Sequence, residues 1–102
     1  MAIQGAFAPQ TNTVNVAVNN TSTSVALGSS LSQYGPNVRV YNNSSQTVFV
    51  QFGSSTVTAA VATSLPMAPN SVEVFTLSGG TYLAVIASAA GGTVYATLGE
   101  GV

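Results

Sequence analysis

Short runs of alternating apolar and polar residues recur along most of the chain, separated by Asn, Ser, Gly and Pro. A period of two sends successive side chains to opposite faces, so such runs predict half-buried β-strands. Val14, Val16 and Val18 alternate with Asn15 and Ala17. Asn19-Asn20-Thr21-Ser22 then predicts a turn, followed by a short strand around Thr23–Leu27 and a loop from Gly28 to Gly35. Val38 and Val40 alternate with Arg39 and Tyr41, and Asn42-Asn43-Ser44-Ser45 predicts a second turn. Val48, Val50 and Phe52 line one face of the next strand, with Phe49 and Gln51 on the other. Residues 54–64, rich in Ala, Ser and Thr, carry no period and are expected to form a loop crossing between sheets. Leu65-Pro66-Met67-Ala68-Pro69-Asn70 is expected to be a stiff turn, because each proline fixes φ and removes a donor. Strands follow at Val72–Leu77, Tyr82–Ser88 and Thr93–Leu98. Their links, Ser78-Gly79-Gly80 and Ala90-Gly91-Gly92, predict tight hairpins.

No window places apolar residues at helical spacing. Val, Thr, Tyr and Phe form the runs, which is strand chemistry. The predicted fold is therefore all-β: an antiparallel sandwich or jelly-roll-like domain of seven or eight short strands over residues 13–102, preceded by an extended N-terminal arm, residues 1–12. Asn15-Val-Ala-Val-Asn-Asn-Thr-Ser faintly echoes Asn37-Val-Arg-Val-Tyr-Asn-Asn-Ser-Ser. Two strand–turn–strand hairpins account for the echo without a duplication, and one pair of copies is too little for a solenoid.

Charge changes the picture most. In 102 residues there are three formal charges, Arg39, Glu73 and Glu100. An ordinary soluble domain carries roughly a quarter charged residues. Hydroxyls and amides supply the polarity instead, and a surface so poor in charge is weakly protected against association. Much of that surface is expected to be covered by other protein, the alternative being a neutral, hydroxyl- and amide-rich surface left in water. The opening residues have no basic n-region and no continuous apolar stretch, so no signal peptide is expected and synthesis in a cytoplasm is. No run reaches the roughly 18 apolar residues of a membrane-spanning helix.

The same composition narrows the chemistry. Without His or Cys, neither a Ser-His-Asp nor a Cys-His constellation is available, and without Lys there is no Schiff base. No catalytic, cofactor-binding or metal-ligating residue is expected, and no enzyme. Glu73 within a strand and Glu100 near the last residue make a poor acid–base pair. One arginine neutralises about one phosphate, so nucleic acid is not an expected partner.

Contact residues are the remaining candidates. Phe7, flanked by Ala6, Ala8 and Pro9, is expected either to anchor the arm on a neighbour or to fold back over its own sandwich. Arg39, the one cation, is expected to pair with Glu73 across the sandwich or across a subunit contact, or else to stand exposed. Tyr82-Leu83-Ala84-Val85-Ile86-Ala87 is apolar on both faces. Such a strand is either central in a thick core or part of a subunit interface. The interface is the preferred expectation, with Ala84 and Ala87 permitting close approach. Phe7, Arg39, Phe49, Glu73, Tyr82 and Ile86 are the candidate interface residues.

Val38-Arg-Val-Tyr-Asn-Asn-Ser-Ser-Gln-Thr-Val-Phe-Val-Gln-Phe-Gly, Leu65-Pro-Met-Ala-Pro-Asn-Ser-Val-Glu-Val-Phe, Tyr82-Leu-Ala-Val-Ile-Ala and the ending Gly99-Glu-Gly resemble small β-sandwich structural proteins of tailed-bacteriophage virions, of the capsid decoration or cement type. The resemblance covers residues 37–101. It implies a role without catalytic residues: a trimer or other symmetric homo-oligomer on the capsid surface that bridges major capsid proteins. Two alternatives stand beside it. One is a tail or head-fibre component; the other is a carbohydrate- or host-surface-binding module using Tyr34, Tyr41 and Tyr95. An ice- or surface-adsorbing protein ranks last, because the threonines lack a flat-face spacing.

Overall fold

The computed structural model describes residues 7–9, 12–27, 37–77 and 81–100. Among them are nine strands and no helix: β1 (Ala8–Pro9), β2 (Val14–Ala17), β3 (Thr23–Ala26), β4 (Asn37–Asn43), β5 (Val48–Gly53), β6 (Leu65–Met67), β7 (Val72–Thr76), β8 (Tyr82–Ile86) and β9 (Thr93–Glu100). Every pairing is antiparallel. One sheet, the A sheet, runs β2–β9–β4–β7, with β1 continuing the β2 side of β9. The other, the B sheet, runs β3–β8–β5–β6. The pairs β2–β9, β3–β8, β4–β7 and β5–β6 nest within one another, as if a single long hairpin had been rolled over on itself. That is the jelly-roll arrangement of an antiparallel β-sandwich.

The alternating rows explain why the two sheets close. Val38 and Val40 on β4, Val94, Ala96 and Leu98 on β9, and Val48 and Val50 on β5 all face inward and are buried. Leu83, Val85 and Ala87 complete the inner row of β8 and its end. Fully burying side chains of this size contributes about 1.5–3 kcal/mol each.

Several turn expectations are corrected. The links after β2, β4, β7 and β8 each carry the chain from one sheet to the other, so none closes a hairpin. This includes Ala90-Gly91-Gly92 and both halves of the internal echo. The connection through Ser78-Gly79-Gly80 and the loop 28–35 lie outside the described residues, but the strands flanking 78–80 belong to different sheets. Glycine and asparagine release the backbone equally for a hairpin and for an arch; apolar faces on both sheets decide between them. Residues 54–64 do the reverse of what was expected. They join β5 to β6 within the B sheet, the one pair of consecutive strands that are direct neighbours. Leu65-Pro66-Met67 is strand β6 and not a turn. β6 is an edge strand, where a missing N–H is tolerated. The turn itself is Ala68–Ser71: Asn70 adopts φ 58° and the Ser71 N–H donates to the Ala68 carbonyl at 3.2 Å. Proline followed by a left-handed asparagine is type II turn chemistry.

β4 also runs on through Asn42, where the sequence predicts a turn. Asn42 takes the next inward place after Val38 and Val40 and is fully buried. Its amide nitrogen donates to the carbonyls of Gln46 (3.0 Å), Met67 (3.3 Å) and Ala68 (2.9 Å), and its oxygen accepts from Ser44 Oγ at 2.6 Å. A buried amide satisfied in this way ties the β4–β5 corner to the β6–β7 turn.

Candidate interaction surface

The outer faces of the two sheets differ. On the B sheet the chain covers itself. Ser64 Oγ donates to Gln51 Oε1 at 3.1 Å, and the Ala59 N–H donates to Ser22 Oγ at 2.9 Å just before β3. The 54–64 loop is thus fastened on both sides of β8. A Cβ on Gly53 would meet Val57 Cγ2 at 2.9 Å, so the loop also lies close over the end of β5. Ala84 points outward from β8, between Ser24 and Gln51, and is nonetheless fully buried. The expected subunit neighbour at Ala84 is therefore corrected: the chain's own loop occupies that side, while Ala87 belongs to the core. Phe49 and Ile86 stand directly opposite each other on this outer face, both half-buried, and half-buried Tyr82 lies at the other end of β8.

The A sheet's outer face carries no such loop among the described residues. The register sets two rows across it: Tyr95, Tyr41 and Val72, then Thr97, Arg39 and Val74. Tyr41 and Tyr95 lie side by side, ring centroids 6.2 Å apart and planes 19° apart. Two of the three tyrosines considered for sugar stacking therefore stack on each other; Tyr34 lies outside the described residues. Arg39 is exposed, and it is the single charge on this face among the described side chains. Phe7 lies against the same sheet, its ring above Gly99, where a Cβ would come within 2.6 Å of Phe7 Cζ. Phe7, Pro9, Thr13, Arg39 and Thr97 line a cleft of about 330 Å³, with the Thr13 and Thr97 hydroxyls 2.6 Å apart. Phe7 thus folds back over its own sandwich; residues 1–6 of the arm lie outside the described region.

Glu73 is elsewhere. On β7 it stands opposite Val40, in the row that faces the core on β4, yet it is exposed because β7 is the last strand of its sheet. Arg39 stands opposite Val74 in the other row. The two charges sit on neighbouring strands but on opposite faces of one sheet, which excludes the pairing across the sandwich. The positions of Glu73 and Glu100 lie two strands and four residues apart, about 16 Å by ordinary strand geometry. Among the described residues no group of three or more His, Cys, Asp or Glu is assembled. A second cleft, about 500 Å³, opens between the edge strands β6 and β7 over Phe52 and Phe75, whose rings meet at 5.3 Å. Pattern reading missed the pairing of the two tyrosines and the cleft around Arg39. Both depend on register between strands more than 50 residues apart in sequence.

No family profile and no characterised protein sequence matches the chain. Among solved structures it is similar to a subunit from work entitled "Bacillus endospore appendages form a novel family of disulfide-linked pili". The TM-score is 0.57 and the identity 16%, covering 100% of this chain and 96% of that one. At such identity the likeness concerns the fold.

Proposed function

We propose that this protein is a non-enzymatic structural subunit that works by packing on copies of itself and on another protein, as a capsid decoration protein of a tailed-phage virion does. The observation that carries the reading is the outer face of the A sheet. Among the described residues it is built of Tyr, Thr, Val and Asn with one arginine; Phe7–Pro9 lie over its Gly99 end, and the 54–64 loop lies over the opposite face instead of this one. Such a face loses little hydration free energy when it closes against protein, because it has almost no charge to desolvate. Many weak copies arranged on a lattice then add avidity. The phage reading itself rests on the resemblance over residues 37–101, with a major capsid protein as the partner and the capsid surface as the location.

A filament subunit is the second reading, favoured by the full-length likeness of fold to a pilus protein. These 102 residues contain no cysteine, so contacts within such a filament would be non-covalent. Light scattering coupled to size-exclusion chromatography, followed by negative-stain microscopy with and without purified phage heads, tests both. Defined oligomers that saturate the heads support decoration, and fibres formed by the protein alone support the filament. A monomer at millimolar concentration that binds neither heads nor itself sinks the structural reading altogether.

A further inference from the structure

We propose that the cleft around Arg39 receives Glu73 of a second copy of this chain, and that this contact sets the geometry of self-assembly. The inference rests on the self-association proposed above and specifies the surface responsible. Each half is complete in one molecule and unused there. Arg39 makes no ion pair with a described side chain, although its cleft offers good carboxylate chemistry. A guanidinium presents a planar fork to two carboxylate oxygens, the Thr13 and Thr97 hydroxyls stand beside it, and the Phe7 ring and Pro9 limit water. Glu73 is the complementary half. Its backbone belongs to the inward row of β7, and its carboxylate reaches solvent at the free edge of the sheet, next to Val72, which is 43% exposed. The edge strand bears an exposed carboxylate, with exposed Val72 on its other face, and the cleft bears a guanidinium beside an aromatic ring and a proline.

Charge complementarity names the occupant. The chain holds one cation and two carboxylates. Glu73 is exposed on the outermost strand of the sheet, where a second copy can reach it, whereas the Glu100 backbone is paired to Ala8 in β1. A twofold contact of two A-sheet faces with its axis at Arg39 would set like charge against like. Edge against face avoids this. Such a contact either forms twice about a twofold axis, Arg39 of each copy meeting Glu73 of the other, or repeats head to tail into a ring or filament. An exposed ion pair adds little affinity. Here the pair fixes register, while Val72, Phe7 and the neighbouring tyrosines supply the contact area.

The test is a charge swap in the full chain, read as the apparent dissociation constant of the oligomer by sedimentation velocity. Arg39→Glu and Glu73→Arg each weaken assembly at least tenfold, and the double variant returns to within a few-fold of wild type. Both sites are exposed, so melting curves of all variants stay close to wild type. Single variants that assemble like wild type, or a double variant no better than either single, overturn this contact and leave self-association standing. Rescue of Arg39→Glu by Glu100→Arg instead of Glu73→Arg also overturns it. A wild-type protein that stays monomeric overturns both this contact and the reading beneath it.

Discussion

Adjacent residues of one type, Asn42 and Asn43, test the account of the β4–β5 corner. Asn42 is 0% exposed, and its two N–H groups serve three carbonyls while its oxygen holds Ser44. Asn43 points out of the same strand, and its one described side-chain bond is a 3.3 Å contact accepted from the Tyr41 hydroxyl. Replacing Asn42 by alanine removes about four hydrogen bonds. The loss is bounded, because the Gln46 carbonyl keeps Ser44 Oγ and the Ala68 carbonyl keeps both the Ser71 N–H and Ser71 Oγ. At about 1 kcal/mol net per bond, partly offset by those remaining donors, the cost is about 3 kcal/mol. A domain of this size has a total stability of about 5–15 kcal/mol. Each kcal/mol lowers the melting temperature by about 4–8 °C, so Asn42→Ala should melt about 12–24 °C below wild type. Asn43→Ala should stay within about 0.5 kcal/mol. Asn42→Asp separates donors from volume: it is isosteric, donates nothing when ionised and aims a charge at three carbonyl oxygens. It should therefore be worse than alanine at pH 7. Urea and thermal unfolding followed by circular dichroism give these values. If Asn42→Ala loses less than about 1 kcal/mol, or Asn42→Asp matches wild type, the buried amide is not what ties the corner together.

Three further outcomes are expected. Ala84→Leu inserts three carbons beneath the 54–64 loop, costing about 1–3 kcal/mol; the loop should become the first site of limited proteolysis, and an uncut loop of normal stability would refute its close packing. Gly99→Ala places a methyl against the Ala8 carbonyl and the Phe7 ring, so the Ala8 amide should exchange with deuterium faster while exchange in β4 and β9 beyond that end is unchanged. Unaltered exchange at Ala8 would mean that Phe7–Pro9 do not depend on that close approach. In a double-mutant cycle Tyr41→Ala and Tyr95→Ala should couple by about 0.5–1.5 kcal/mol, the usual value of an aromatic pair; additive losses would remove the stack as a stabilising contact.

Strand identity was legible from the residues because it is local. The alternation of Val38 with Arg39, or of Val48 with Phe49, needs nothing beyond a few neighbouring residues, and β7, β8 and β9 appear within two residues of their expected bounds. The absence of His, Cys, Asp and Lys was equally plain and narrowed the possible chemistry before any coordinate. Asn42 also left a signal, since extending the row Val38, Val40 by one step lands on it, but its turn-forming neighbours masked the pattern. Pairing was not legible. Asn19–Ser22 and Ser44–Gln46 permit a hairpin or an arch with equal ease, and the arch prevails only because two apolar faces must meet across the sandwich. The same holds for the surface. Whether the second apolar face of β8 meets a neighbour or its own loop, and whether Arg39 and Glu73 share a face, depends on register between distant strands. A two-residue repeat says which side chains point together within a strand; the packing of distant strands settles what they point at.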